Sequence, residues 1–200
     1  MNISAATIKE LREQTGAGVL DCRKALEQTE GDLEKAKAWL KDKGLAQAAK
    51  KADRVAKDGL IGSYIHHNNR IAVLIEVNCE TDFVARTDGF KTLTQTLAKH
   101  IAMANPQFIK PEDIPATQLE ELRKGFREEA IASGKPENEI AHAVEDKLEK
   151  HYQETCLLRQ GYVLDEKIII GNMLTQAVTD LRENIVVRRF VRYELGGESL

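Results

Sequence analysis

The hydrophobic period of this chain changes partway along, and that change constrains the fold more than any other feature. Through the first 57 residues the apolar positions recur at helical spacing; from Leu60 they alternate. Leu60–Ile65 and Ile71–Val77 are β-rich runs separated by His66-His67-Asn68-Asn69-Arg70, and because Asn tolerates positive φ this reads as a hairpin. Helical spacing then returns and holds until Asn184–Leu195, a long strand ahead of Gly196-Gly197. Strand runs on both sides of a helical stretch make the expected fold class α+β, a small antiparallel sheet packed with helices.

The helices can be placed from their caps and stripes. Ser4 caps a first helix carrying Ile8 and Leu11, which Thr15-Gly16 ends. A second follows Gly18 with Val19, Cys22 and Leu26 on one face and closes at Gly31. The third starts after Asp32, aligns Leu33, Ala36 and Leu40, and is expected to stop at Gly44. These three form a compact bundle over 1–45. Residues 46–57, Ala- and Lys-rich with no strong apolar stripe, read as a helical linker, and 58–200 as an α+β core. In the core one helix carries Phe90, Leu93, Leu97 and Ile101 and is stopped by Asn105-Pro106. Two more carry Leu119, Leu122, Phe126 and Ile140, Val144, Leu148, with Gly134-Lys135-Pro136 between them. A further helical segment carries Met173, Leu174, Ala177, Val178 and Leu181. On the last strand Ile185, Val187, Val191, Tyr193 and Leu195 are expected to face the core, leaving Arg188, Phe190, Arg192 and Glu194 on the opposite face.

Composition excludes several classes. With 42% apolar and 30% charged residues, 13 Gly and 4 Pro, the chain is neither disordered nor collagen-like. No apolar stretch approaches the ~20 residues that span a bilayer. The start, Met1-Asn2-Ile3-Ser4, lacks the basic and long apolar regions of a signal peptide, so a cytoplasmic location is expected. Three widely spaced cysteines, Cys22, Cys79 and Cys156, form no disulfide framework. A net charge of −3 argues against a dedicated nucleic-acid binder, and no direct nucleic-acid binding is expected. The charge is uneven, however. Lys41–Lys57 holds six basic residues against two Asp, and Glu112–Asp146 ten carboxylates against four basic residues, as in a protein that meets partners on different faces.

The residues offer little to a catalyst. Gly16-Ala17-Gly18 fails the GxGxxG pattern, because Asp21 stands where the third glycine belongs, and its flanks are helical; it is an interhelical turn. His66 and His67 sit in a hairpin turn about 30 Å along the strand from Cys79, and no CxxC or HxxxH spacing occurs, so neither a metal nor another cofactor is expected. No GxSxG motif is present. Arg188, Arg189 and Arg192 could touch nucleic acid but read more simply as solvent-facing strand residues.

One segment is unusual. Asn78-Cys79-Glu80-Thr81-Asp82-Phe83-Val84-Ala85-Arg86 joins a strand end directly to a helix. In one reading Thr81 or Asp82 caps the helix and Phe83 folds back onto it as a hydrophobic staple. In the other, Phe83 points outward from a rigid elbow beside a carboxylate, an aromatic wedge for a partner's pocket.

Three motifs carry a resemblance. Leu11-Arg12-Glu13-Gln14-Thr15-Gly16-Ala17-Gly18, followed by Asp21-Cys22 and Lys24-Ala25-Leu26, resembles the N-terminal signature of the bacterial elongation factor Ts family. Glu76–Ala85 resembles its second signature and Asn184–Phe190 its C-terminal strand, in the same order. The resemblance implies a guanine nucleotide exchange factor, not an enzyme of covalent chemistry, whose partner is the translational GTPase elongation factor Tu. It implies that the first helices form a ubiquitin-associated-like three-helix bundle that docks on the GTPase, with Leu11, Arg12, Thr15, Gly16, Gly18 and Asp21 in the docking motif. It implies too that Thr81, Asp82, Phe83 and Val84 intrude near the GTPase-bound Mg²⁺ and displace it. The chain is similar to the family's short members, which form homodimers, and Val186 and Phe190 are the expected contact patch. Two other classes remain: a ribosome- or RNA-associated binding protein using the basic linker and Arg188/Arg192, and an enzyme with an unrecognised carboxylate site.

Overall fold

The structure, a computed structural model, describes residues 3–15 and 17–197. They form two compact units. The first comprises Met1–Gly59, Asn78–Phe90 and Leu174–Val186; the second comprises Leu60–Val77, Lys91–Met173 and Val187–Leu200.

The first unit opens with α1 (Ala5–Thr15), α2 (Val19–Gln28) and α3 (Leu33–Ala49). Their caps follow the residue chemistry. The Thr7 amide donates to Ser4 Oγ at 3.1 Å, and the Lys35 amide donates to the Asp32 carboxylate at 3.0 Å. Leu11, Cys22, Ala25, Leu26 and Ala36 are buried at the centre, with Ile8, Leu33, Trp39 and Leu40 packed around them. Gly44 does not end α3, contrary to the sequence expectation; the helix runs on to Ala49. A glycine stops a helix by turning left-handed, and Gly44 is not among the positive-φ glycines, whereas Gly31, with φ 86°, is.

Along the rest of the chain, β1 (Asp58–Ile65) and β2 (Ile71–Cys79) form the expected hairpin, with the His66 amide donating to the Ile71 carbonyl and Asn69 at φ 56°. After a short helix, α4 (Asp82–Ala85), comes α5 (Asp88–Ala104), whose buried face includes Leu93, Leu97 and Ile101. A Cβ at Gly62 of β1 would lie 2.5 Å from Thr94 Cγ2, so only glycine lets the strand pass this close to α5. The hairpin of α6 (Ala116–Ala132) and α7 (Glu137–Thr155) buries Ala130, Ile140, Val144 and Leu148 between its helices, with Leu119, Leu122 and Phe126 packed against them. A two-stranded ribbon, β3 (Gly161–Tyr162) and β4 (Asp165–Ile169), leads into α8 (Ile170–Leu181). The sequence shows no periodicity for strands this short. The ribbon is tied to α5 by buried His100. The Val163 amide donates to Nδ1 at 3.3 Å and Nε2 donates to Gln160 Oε1 at 2.9 Å, so the ring sits neutral, and burial lowers its pKa.

The last strand, β5 (Val186–Glu194), joins the edge of β2, giving the order β1-β2-β5. The Leu195 amide donates to the Arg70 carbonyl at 2.8 Å, and Arg189 pairs with Glu76 at 2.7 Å. The faces of β5 follow the sequence expectation at its start, where Ile185 and Val187 are buried, and depart from it towards its end. Arg192 Nε donates to the Ala102 carbonyl of α5 at 3.1 Å and its side chain is only 13% exposed, so the Phe190/Arg192 side packs on the helix. The apolar count favoured the other face, of which Val187 is buried but Tyr193 and Leu195 lie open to solvent. Leu74 of β2 and Ile61 and Ile65 of β1 are exposed as well. The arginine stem supplies the covering apolar surface that a count of aliphatic letters overlooks. No helix among the described residues is long and apolar enough to cross a membrane.

Candidate functional site

The segment from Glu80 to Arg86 is held as a rigid elbow within the first unit, and a single carboxylate does most of the holding. Glu183 Oε2 accepts from the backbone amides of both Glu80 and Thr81, each at 3.0 Å, while Oε1 accepts from the Thr81 hydroxyl at 2.6 Å. Thr81 is extended, at φ −132° and ψ 152°, and caps α4 by accepting from the Val84 amide at 3.4 Å. With its proton given to Glu183, the hydroxyl is oriented to present a lone pair to Val84. Next to it, Glu80 Oε1 accepts from the Asn184 amide at 2.7 Å and from Arg54 at 3.5 Å. The buried Asn184 side chain donates to the carbonyls of Ala52 and Arg54, at 3.2 and 2.8 Å. The Glu80, Thr81 and Asn184 amides that set the elbow's entry thus all have partners.

What this scaffold presents is apolar. Phe83 is 76% exposed, so the fold-back staple is absent, although Thr81 does act as the N-cap. Asp82 beside it is exposed and paired only with Arg86, one turn on, at 2.9 Å. Such an exposed pair is weak and can exchange partners at little cost. Val84 is buried and anchors the elbow from beneath. Cys79 is buried, and its Sγ donates to the Thr81 carbonyl at 3.1 Å. Burial, and then the nearby Glu183 charge, push its pKa up to about 11, so it stays a thiol and is no nucleophile.

The N-terminal motif divides between structural and exposed positions. Leu11 lies in the bundle core. Thr15 donates to the Leu11 carbonyl at 2.7 Å and accepts from the Ala17 amide at 3.3 Å, which closes α1. Asp21 pairs with Lys43 of α3 at 2.5 Å, and that ammonium lies over the Trp39 ring. Arg12 and Gly18 face solvent, and Gly16 lies outside the described residues. The sequence reading missed the most prominent features here, Val19 and Leu20, which open α2. Both are exposed, Leu20 to 81%. Two adjacent aliphatics at the start of a helix, one off the core stripe, were the available signal. Of the arginines considered for nucleic acid, Arg189 pairs with Glu76 and Arg192 turns onto α5. Among the described residues no three His, Cys, Asp or Glu side chains gather as a metal site requires.

Comparison with known proteins covers nearly the whole chain. A family model described as elongation factor TS matches residues 27–197. A second, described as elongation factor Ts, mitochondrial, N-terminal, matches residues 1–50. A protein named elongation factor Ts from Heliobacterium modesticaldum is 50% identical over 194 residues, which is 97% of this chain and 90% of that protein. Its namesake from Thermoanaerobacter sp. (strain X514) is 52% identical over 97% of this chain and 95% of its own length. Another, from Fervidobacterium nodosum, is 52% identical over 98% of this chain and 100% of its own.

Proposed function

The chain belongs to the elongation factor Ts family, and from that premise we propose how its surfaces drive nucleotide release. It is a nucleotide exchange factor acting on elongation factor Tu, and it makes and breaks no covalent bond. The observation that carries the proposal is the elbow: an exposed Phe83 and Asp82 directly after two backbone amides and a hydroxyl held by the Glu183 carboxylate.

A GTPase grips its nucleotide through backbone amides, a lysine and Mg²⁺ bridging the phosphates. The Thr81–Val84 segment enters beside that Mg²⁺ and displaces it, with Phe83 filling an apolar pocket and Asp82 adding negative charge. Without the metal, phosphate charge faces nearby carboxylates with no counterion, and GDP leaves. The interface then stabilises the empty GTPase. Coupling between the two ligands is reciprocal, so the incoming nucleotide weakens the exchange factor's grip by the same factor and frees it. The bundle supplies a second contact, with Arg12, Gly18, Val19 and Leu20 on its surface while Leu11, Thr15 and Asp21 hold their shape.

The exposed Ile61, Ile65, Leu74 and Tyr193 make the outer side of the sheet apolar. Large exposed apolar patches mark interaction surfaces, and a second copy of the chain is the proposed cover, giving a homodimer that meets itself through one patch. The deciding experiment is release of fluorescent GDP from elongation factor Tu with and without this protein. Release accelerated many-fold by catalytic amounts supports the proposal; an unchanged rate refutes it.

A further inference from the structure

We infer that Glu183 is a positioning residue for exchange: it sets the elbow that carries Phe83, although it comes from the far end of the chain and takes no part in the motif itself. The inference rests on the reading of Phe83 as the wedge. Its basis is geometric. A short helix such as α4 has too few internal hydrogen bonds to define its own direction, so the orientation of Phe83 is set by the residues that precede it. Those residues, Glu80 and Thr81, have both amides and the one hydroxyl bound to a single carboxylate. Hydrogen bonds to an ionised acceptor are about twice as strong as neutral ones and more directional. Thr81 then passes that constraint to Val84 through its own oxygen.

Glu183 is in turn fixed by what surrounds it. Arg182 takes a left-handed conformation, φ 61°, that turns the chain out of α8. Asn184, the next residue, is buried and tied through its side chain to the carbonyls of Ala52 and Arg54 and through its amide to Glu80. The backbone that carries the carboxylate is thereby anchored beside the elbow. Asn184 thereby also holds the stretch that leaves α3. The elbow and the N-terminal helices share one compact unit and one set of polar ties, so a bundle seated on the GTPase brings Phe83 to a set position rather than to a range of positions. Preorganisation of this kind matters most when the contact is made only in the state that releases nucleotide.

The test is stopped-flow release of fluorescent GDP from elongation factor Tu at increasing concentrations of the full-length protein. Glu183→Gln keeps the shape and removes the anionic acceptor. It should lower the saturating release rate about tenfold, as expected for losing a charge-assisted hydrogen bond at a rigid site, with the half-saturating concentration shifted by less than about threefold. Hydrogen exchange at the Glu80 and Thr81 amides should rise while other protected amides stay as they were. In a Phe83→Ala background the same change should cost less than about twofold, because the group it positions is gone. Thr81→Val, which leaves Glu183 its amide partners, should also lower the saturating rate, and it serves if Glu183→Gln does not fold. An unchanged saturating rate, a loss confined to half-saturation, or equal losses in both backgrounds overturns the positioning role. An unchanged Phe83→Ala rate would instead overturn the wedge reading, and with it the route from Glu183 to the nucleotide.

Discussion

Replacing Phe83 with Ala isolates the wedge from the fold. The side chain is 76% exposed, and a covered aromatic residue removes roughly 150–250 Å² from water, so docking can bury roughly 110–190 Å² of Phe83. At about 25 cal/mol per Å², less the part that an alanine still covers, the variant should lose about 2–4 kcal/mol of interface energy. If that energy acts on the state that releases nucleotide, the release rate falls by a factor of roughly 30 to 1,000. Stability should change by less than about 0.5 kcal/mol, because little is packed against an exposed ring. The assay is stopped-flow GDP release paired with thermal unfolding. A variant that unfolds several degrees lower, yet exchanges at the normal rate per folded molecule, would show that Phe83 is a structural residue and refute the wedge.

Two further outcomes follow from other parts of the molecule. Sedimentation at micromolar concentration should give twice the chain mass irrespective of reductant, and Leu74→Glu, on the exposed side of the sheet, should give a monomer; a wild-type monomer with full exchange activity refutes the dimer. Burial lowers the pKa of His100 below its ordinary 6.5, so as pH falls the unfolded chain takes the proton first. Stability should therefore be complete above about 6.5, decline as pH drops through that value, and level off once the folded state is protonated as well. Thermal unfolding from about pH 7.5 to 5 should show part of this slope removed in His100→Gln; an identical slope in the variant refutes the assignment.

Much of the architecture is legible in the amino-acid order because it is local. The Ser4 and Asp32 caps, the α5 stripe from Phe90 to Ile101 and the Asn69 turn all depend on residues a few positions apart. Features that failed to show depend on distant partners. Gly44 reads as a stop, but whether a glycine turns left-handed is decided by the rest of the fold. The sidedness at the end of β5 escaped the sequence because the partner of Arg192 is a carbonyl on α5, ninety positions earlier. The elbow was visible as a motif, and its exposed aromatic was one of two readings. Its brace was not visible at all, because Arg182-Glu183 falls between the helical stripe that ends at Leu181 and the strand read from Asn184, where no pattern marks it.

That brace has a consequence for how the molecule comes into being. The edge of β2 and the elbow are synthesised first, and Glu183, which braces the elbow, follows 103 positions later, with Asn184 and β5 directly after it. At roughly 5–20 residues per second, the ribosome leaves this edge unpaired and this elbow slack for about 5–20 s. During that interval the nascent chain holds the helices of the bundle while the elbow lacks the carboxylate that braces it.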